Sequence, residues 1–131
     1  MATILSVDDS DAIRQIIAMI LRNAGHIVEE SVDGKAGLTA AKAMQFDLVL
    51  TDFNMPNMDG LELIKALRAE PNYRYTPILM LTTEGSDDKK RQGRAVGATG
   101  WLVKPFDAQQ LLTAVKRAIG APTLSPLARE Q

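Results

Sequence analysis

Thr51-Asp52-Phe53-Asn54-Met55-Pro56-Asn57-Met58-Asp59-Gly60 follows directly on an apolar run, Leu48-Val49-Leu50, so the chain carries a carboxylate out of a buried strand and into a turn. Pro56 and Gly60 interrupt the backbone before a helical pattern, Leu61, Ile64 and Leu67, takes over. Asp52 therefore sits at the carboxyl end of a strand, and in an open parallel α/β sheet ligands bind in the crevice outside those ends. A single Asp there is equally well a turn former or a helix cap. The rest of the chain decides between the two.

Outward from this stretch, five short apolar runs alternate with five helix-like segments, the pattern of a parallel sheet covered on both faces. Thr3 to Val7 reads as a strand ending at Asp8-Asp9. Ser10 or Asp11 can cap the next helix, whose apolar positions Ile13, Ile16, Ile17, Ile20 and Leu21 have helical spacing, and Gly25 stops it. Ile27 to Ser31 is a short strand whose acidic residues suit a sheet edge, and Asp33 caps a helix over Gly34 to Met44. Leu48 to Thr51 is the central strand, and a helix over about Leu61 to Ala69 follows the Asp52 loop. After a polar loop over Glu70 to Thr76, Ile78 to Leu81 is a strand buried on both faces, ending at Thr82-Thr83. Ser86-Asp87-Asp88 opens a fourth helix bearing Lys89, Lys90, Arg91 and Arg94; its charges read as a solvated face, with a partner-binding face as the alternative. Trp101-Leu102-Val103 is the fifth strand, leading to Lys104-Pro105. Asp107 and Gln110 have capping-box spacing for a last helix with Leu111, Leu112, Val115 and Ile119 on one face. The domain is expected to span 1–119, with 120–131 a disordered tail.

At 131 residues, 46% hydrophobic and 24% charged, the chain has the size and composition of one ordinary globular domain. Fifteen Lys+Arg against sixteen Asp+Glu leave a net charge of -1, so no global field favours nucleic acid or an anionic membrane. No apolar run reaches membrane-spanning length, and the start lacks a signal-peptide pattern; the expectation is a cytoplasmic protein, and a monomer. The absence of cysteine removes disulfides, thiolate metal sites and thiol nucleophiles.

Asp8, Asp9, Asp52, Thr82 and Lys104 all fall directly after strand runs, so the topology gathers them at one edge of the sheet. Three carboxylates so close repel, each pair by roughly 4 kcal/mol at an effective dielectric near 20, and call for positive charge. A divalent cation meets that need, and oxygen ligands without His or Cys point to Mg²⁺ or Mn²⁺. Such a pocket, neutral once Lys104 is counted, is suited to a phosphoryl group, with Asp52 as nucleophile and Thr82 offering its hydroxyl to the added oxygens.

These residues, together with Asn54-Met55-Pro56-Asn57-Met58-Asp59-Gly60 and Gly100-Trp101-Leu102-Val103-Lys104-Pro105-Phe106, resemble a bacterial two-component response-regulator receiver domain over about residues 2 to 119. Within that family, Asp52 to Leu63 and the pair Thr82 and Glu84 are most similar to the single-domain chemotaxis regulators. The resemblance implies a flavodoxin-like (βα)5 fold, a five-stranded parallel sheet of order 2-1-3-4-5 with helices on both faces. It implies Asp52 as phosphoacceptor for a sensor histidine kinase. It further implies Asp9, Asp52 and the Asn54 backbone carbonyl around Mg²⁺, with Asp8 holding a metal-bound water. Lys104, before a cis Pro105, would tie down the phosphoryl group, and Thr82 and Trp101 would form the switch pair. Asn54 and Glu84 would tune dephosphorylation and make the phosphoryl group short-lived. The output would be a phosphorylation-dependent protein target on helix 4, strand 5 and helix 5, as in chemotaxis and flagellar motor control.

Two features depart from the family's habit: Trp101 stands where Tyr or Phe is common, and Phe53 replaces a tryptophan that often follows the acceptor. His26 reads as a surface residue, and Met19, Met44, Met55, Met58 and Met80 read as packing. The competing functions are a phosphate sink or relay intermediate, an aspartyl-phosphate phosphatase and a flavodoxin-like cofactor binder. The phosphatase needs a proton-donating acid two residues after the nucleophile, where this chain has Asn54. The cofactor binder needs a phosphate cradle where this chain has Asp8-Asp9. The expectation is a phosphoacceptor switch and not an enzyme proper, its chemistry limited to self-phosphorylation and autodephosphorylation.

Overall fold

The computed structural model describes residues 1–83 and 87–120. Its strands are β1 (Thr3–Val7), β2 (Ile27–Ser31), β3 (Leu48–Asp52), β4 (Ile78–Thr82) and β5 (Gly100–Val103). Its helices are α1 (Asp11–Asn23), α2 (Gly34–Ala43), α3 (Gly60–Ala69), α4 (Asp87–Val96) and α5 (Ala108–Gly120). All strands are parallel, in the order β2-β1-β3-β4-β5. Alternation along each strand divides the core in two. Ile4, Leu48, Leu50, Leu79 and Leu81 meet α1 and α5, whereas Leu5, Val7, Val49, Ile78 and Met80 meet the other face with Leu63, Ile64 and Leu67 of α3. Every residue of β3 and of β4 is buried, which is why both read as continuous apolar runs.

The expected helix signals operate as read. Ser10 accepts from the Ile13 N–H and Asp33 from the Ala36 N–H, while Asp107 and Gln110 exchange bonds of 2.7 and 2.9 Å. At the end of α1, Gly25 has φ 95° and its N–H bonds Arg22 O while that of His26 bonds Leu21 O, a paired closure that a left-handed glycine permits. The expected Ser86 cap lies outside the described residues, as do Glu84 and the whole of the expected tail, 120–131, except Gly120, which is the last residue of α5. Among the described residues, no helix is long and apolar enough to cross a membrane.

Three expectations need correction. The segment 70–76 is not simply a polar loop. Pro71–Tyr73 forms a 3-10 turn that sinks Tyr73 to 1% exposure, its hydroxyl donating to the Ala41 and Met44 carbonyls. Met19 and Met44 are exposed at 57% and 44%, so only Met55 and Met80 are buried packing, with Met58 partly so. Nor is His26 a simple surface residue. It is half-buried, with Nδ1 accepting from the Ala2 N–H at 3.1 Å, and burial and then the nearby N-terminal charge hold its pKa below the ordinary histidine value.

Candidate phosphoryl-acceptor site

The carboxyl ends of β1, β3, β4 and β5 bring the candidate residues to one edge. Ligand oxygens of Asp8, Asp9 and Asp52 all lie within 4.8 Å of one another. Asp8 is buried, Asp52 is 9% exposed and Asp9 faces solvent. Lys104 reaches back from β5 and places Nζ 3.1 Å from Asp8 Oδ2 and 3.0 Å from Asp52 Oδ1, bridging the two buried acids. Its peptide bond to Pro105 is cis.

The backbone holds each acid in place. Asp8 accepts from the Ser10 N–H at 2.9 Å and Asp52 from the Phe53 N–H at 3.0 Å. Gly60, the first residue of α3, donates to Phe53 O, and a Cβ there would collide with Asp52 O and the Phe53 Cα. The helix thus rests directly on the backbone of Asp52 and Phe53, a position only glycine fits. Gly34 plays the same part for α2, where a Cβ would lie 2.5 Å from Met58 O in the loop after Asp52. Asn57 turns that loop with φ 70°, a left-handed conformation that asparagine tolerates.

Arg14, which sequence reasoning passed over, is 8% exposed and donates to Asp8 O at 2.7 Å while its guanidinium pairs with Asp11 at 2.6 Å. It fixes the end of β1 from α1. An arginine interrupting the apolar face of a helix whose cap adjoins two acids is the signal that could have marked it.

Burial raises the Asp52 pKa above the ordinary aspartate value, and the charge of Asp8 adds to this; Lys104 and the Phe53 N–H offset only part. For Lys104, burial favours the neutral amine, but its hydrogen bond to Asp52 and the charges of Asp52 and Asp8 prevail and leave its pKa raised. One ammonium therefore stays charged between two acids and cannot by itself neutralise three. An all-oxygen, carboxylate-rich donor set with excess negative charge fits a hard divalent cation. Asp9, Asp52 and Asp8 are the side chains that could hold it, and Asn54 follows two residues after Asp52 on the exposed rim.

Thr82 closes β4 and is 3% exposed, its carbonyl accepting from the Lys104 N–H at 2.7 Å. Trp101 of β5 pairs in register with Met80 of β4 and is half-buried against the core that includes Leu63, Ile64 and Leu67 of α3. The structure thus brings Asp8, Asp9, Asp52 and Lys104 into one cluster and sets Thr82 and Trp101 on neighbouring strands beside it.

A (βα)5 domain of strand order 2-1-3-4-5 with this acidic edge defines a receiver, and the sequence profile of the response regulator receiver domain matches residues 4–116; the chain belongs to that family. Among its relatives, a chemotaxis protein CheY of Pseudomonas aeruginosa is 37% identical over 115 residues, covering 87% of this chain and 93% of the relative. The chemotaxis protein CheY4 of Vibrio cholerae has a solved structure of TM-score 0.88 at 51% identity, covering 90% of this chain and 98% of that one. A third is the receiver domain of the sensor histidine kinase PA1611 from Pseudomonas aeruginosa, solved with magnesium coordinated in its active-site cleft. It is 29% identical at TM-score 0.85, covering 92% of this chain and 98% of that one. The chain is thus a receiver domain of two-component signalling, similar to chemotaxis regulators.

Proposed function

We propose that this receiver is a phosphorylation-activated switch in which Asp52 accepts a phosphoryl group from the phosphohistidine of a sensor kinase. The observation that carries the reading is the Lys104 ammonium bridging Asp8 and Asp52, with Asp9 completing the acidic cluster. An Asp52 carboxylate oxygen attacks phosphorus, the N–P bond breaks, and the imidazole nitrogen leaves with the bonding pair and takes up a proton. Bound Mg²⁺, or Mn²⁺, supplies charge neutralisation of the acids and the phosphoryl oxygens. Lys104, already between the carboxylates, can turn its ammonium to the new oxygens, and Thr82 contributes its hydroxyl. Hydrolysis of the acyl phosphate returns the carboxylate and inorganic phosphate, with Asn54 and Glu84 governing approach of water.

The chemistry is confined to gaining and losing this group, so output passes through a protein target on α4, β5 and α5. Similarity to the chemotaxis proteins favours a target in chemotaxis or motor control. Incubation with a small acyl-phosphate donor and Mg²⁺ is expected to add one phosphoryl group by intact mass in wild type and none in Asp52→Asn. An equal gain in both would sink the assignment.

A further inference from the structure

Helix α4 is joined to the switch aromatic in an unusual way. Gly93 is its one buried residue, and a Cβ there would come within 3.0 Å of the Met80 methyl, so the glycine lets the helix settle close to the sheet. Lys90 and Arg94, one helical turn apart and flanking Gly93, both project to the same indole. Lys90 Nζ lies 5.4 Å and Arg94 Cζ 5.3 Å from the Trp101 ring centroid. Trp101 is the one tryptophan in the chain and is only half-buried.

We propose that Lys90 and Arg94 form a cationic clamp that holds Trp101 in its resting pose and sets the threshold of the switch. The proposal rests on the reading of Asp52 as acceptor and of Thr82 and Trp101 as the responding pair. An indole that moves inward behind Thr82 must leave both cations, so the clamp weights the equilibrium toward the resting state. Two positive side chains near an aromatic face would otherwise repel each other, and the electron-rich ring is what makes their convergence favourable. Lys90 and Arg94 are positioning residues, since they act on the switch and not on the phosphoryl group. A ligand that stabilises the inward pose must overcome this bias, so its apparent affinity falls by the fraction of chains not already in that pose.

Lys90→Met and Arg94→Met keep the aliphatic stems and remove the charges. Each is expected to lower the beryllium fluoride concentration that half-saturates the Trp101 emission change, with Mg²⁺ present, by roughly two- to five-fold. The double variant should combine the two shifts, and Arg94→Lys should restore most of the wild-type midpoint. Without fluoride, acrylamide, a neutral quencher blind to the altered charge, should quench Trp101 less in the double variant as more indole turns inward. An unchanged midpoint in the double variant overturns the clamp. If wild type does not respond to beryllium fluoride at all, the switch reading of the site fails, and acrylamide alone decides the clamp: equal quenching in wild type and the double variant overturns it.

Discussion

In the function proposed above, Asp52 would have to act as a nucleophile in a place that penalises its charge. Its pKa is raised by burial first and by Asp8 next, so protons and divalent cations compete for it at higher pH than for an ordinary aspartate near 4. Mg²⁺ affinity is therefore expected to fall on acidification, beginning above that ordinary range, and titration calorimetry across pH 4 to about 7 checks it. The stability effect has a definite sign. Because the folded pKa lies above the unfolded one, the folded state binds the proton more tightly. Stability attributable to this group rises as pH falls through the folded value and levels off below the unfolded value. Asp52→Asn should thus raise the melting temperature at neutral pH without Mg²⁺ and flatten this part of the pH profile; a lower melting temperature would show the Lys104 bond to outweigh desolvation. Asp8, Asp9, Asp52 and Lys104 were legible in the sequence because each directly follows a strand run. Arg14 was not, because its decisive partner is the Asp8 carbonyl, and a side chain bonded to backbone leaves no complementary residue type to search for.

The helices are tuned individually to the acid edge. α3 begins with Asp59 accepting from the Glu62 N–H and Glu62 returning a bond to the Asp59 N–H, so its first turn is set as firmly as the strand it follows. Gly60 then places that turn against the Asp52 carbonyl. Gly60→Ala is expected to cost about 1–3 kcal/mol, since the colliding atoms are backbone and cannot rotate away, and to slow phosphorylation by displacing Asp52. Gly120→Ala, with nothing within 4 Å, provides the neutral comparison in denaturant unfolding. Element identities were readable because β3 and β4 carry unbroken apolar runs and the helices carry local caps. The 3-10 turn at Pro71–Tyr73 escaped because Tyr73 is buried by distant partners, the Ala41 and Met44 carbonyls, amid polar neighbours that read as loop. Met19 was misjudged because helical periodicity identifies a face and not its width: a residue at the rim of the α1 stripe stays exposed.

For the domain as a unit, binding of a cation at this cluster would be linked to folding, because the three acids converge only when β1 and β3 are paired. At ten times its dissociation constant, Mg²⁺ should stabilise the fold by about 1.4 kcal/mol, a melting shift of roughly 5 °C for a domain of this size. Asp9→Ala should abolish the shift, whereas Asp59→Ala should lower stability by about 1 kcal/mol through the lost cap and keep the shift. A persisting shift in Asp9→Ala would place the cation elsewhere. Opposite the acid edge, Arg68 at the end of α3 donates to the carbonyls of Tyr73, Thr76 and Gly97, the last from both Nε and Nη2, with its aliphatic stem against Gly97. One guanidinium thereby ties the end of α3 to the two segments that enter β4 and β5, while the carboxyl ends of the same strands lead to Thr82 and Lys104. Under the proposed function the two strands would be anchored at one end and responsive at the other, like reeds in a mouthpiece. Amide hydrogens of Ile78 and Ala98 should accordingly exchange at the same slow rate with and without beryllium fluoride, while those at Phe53 and Lys104 change. Uniform change along both strands would mean that the sheet shifts as a whole and that the arginine anchors nothing.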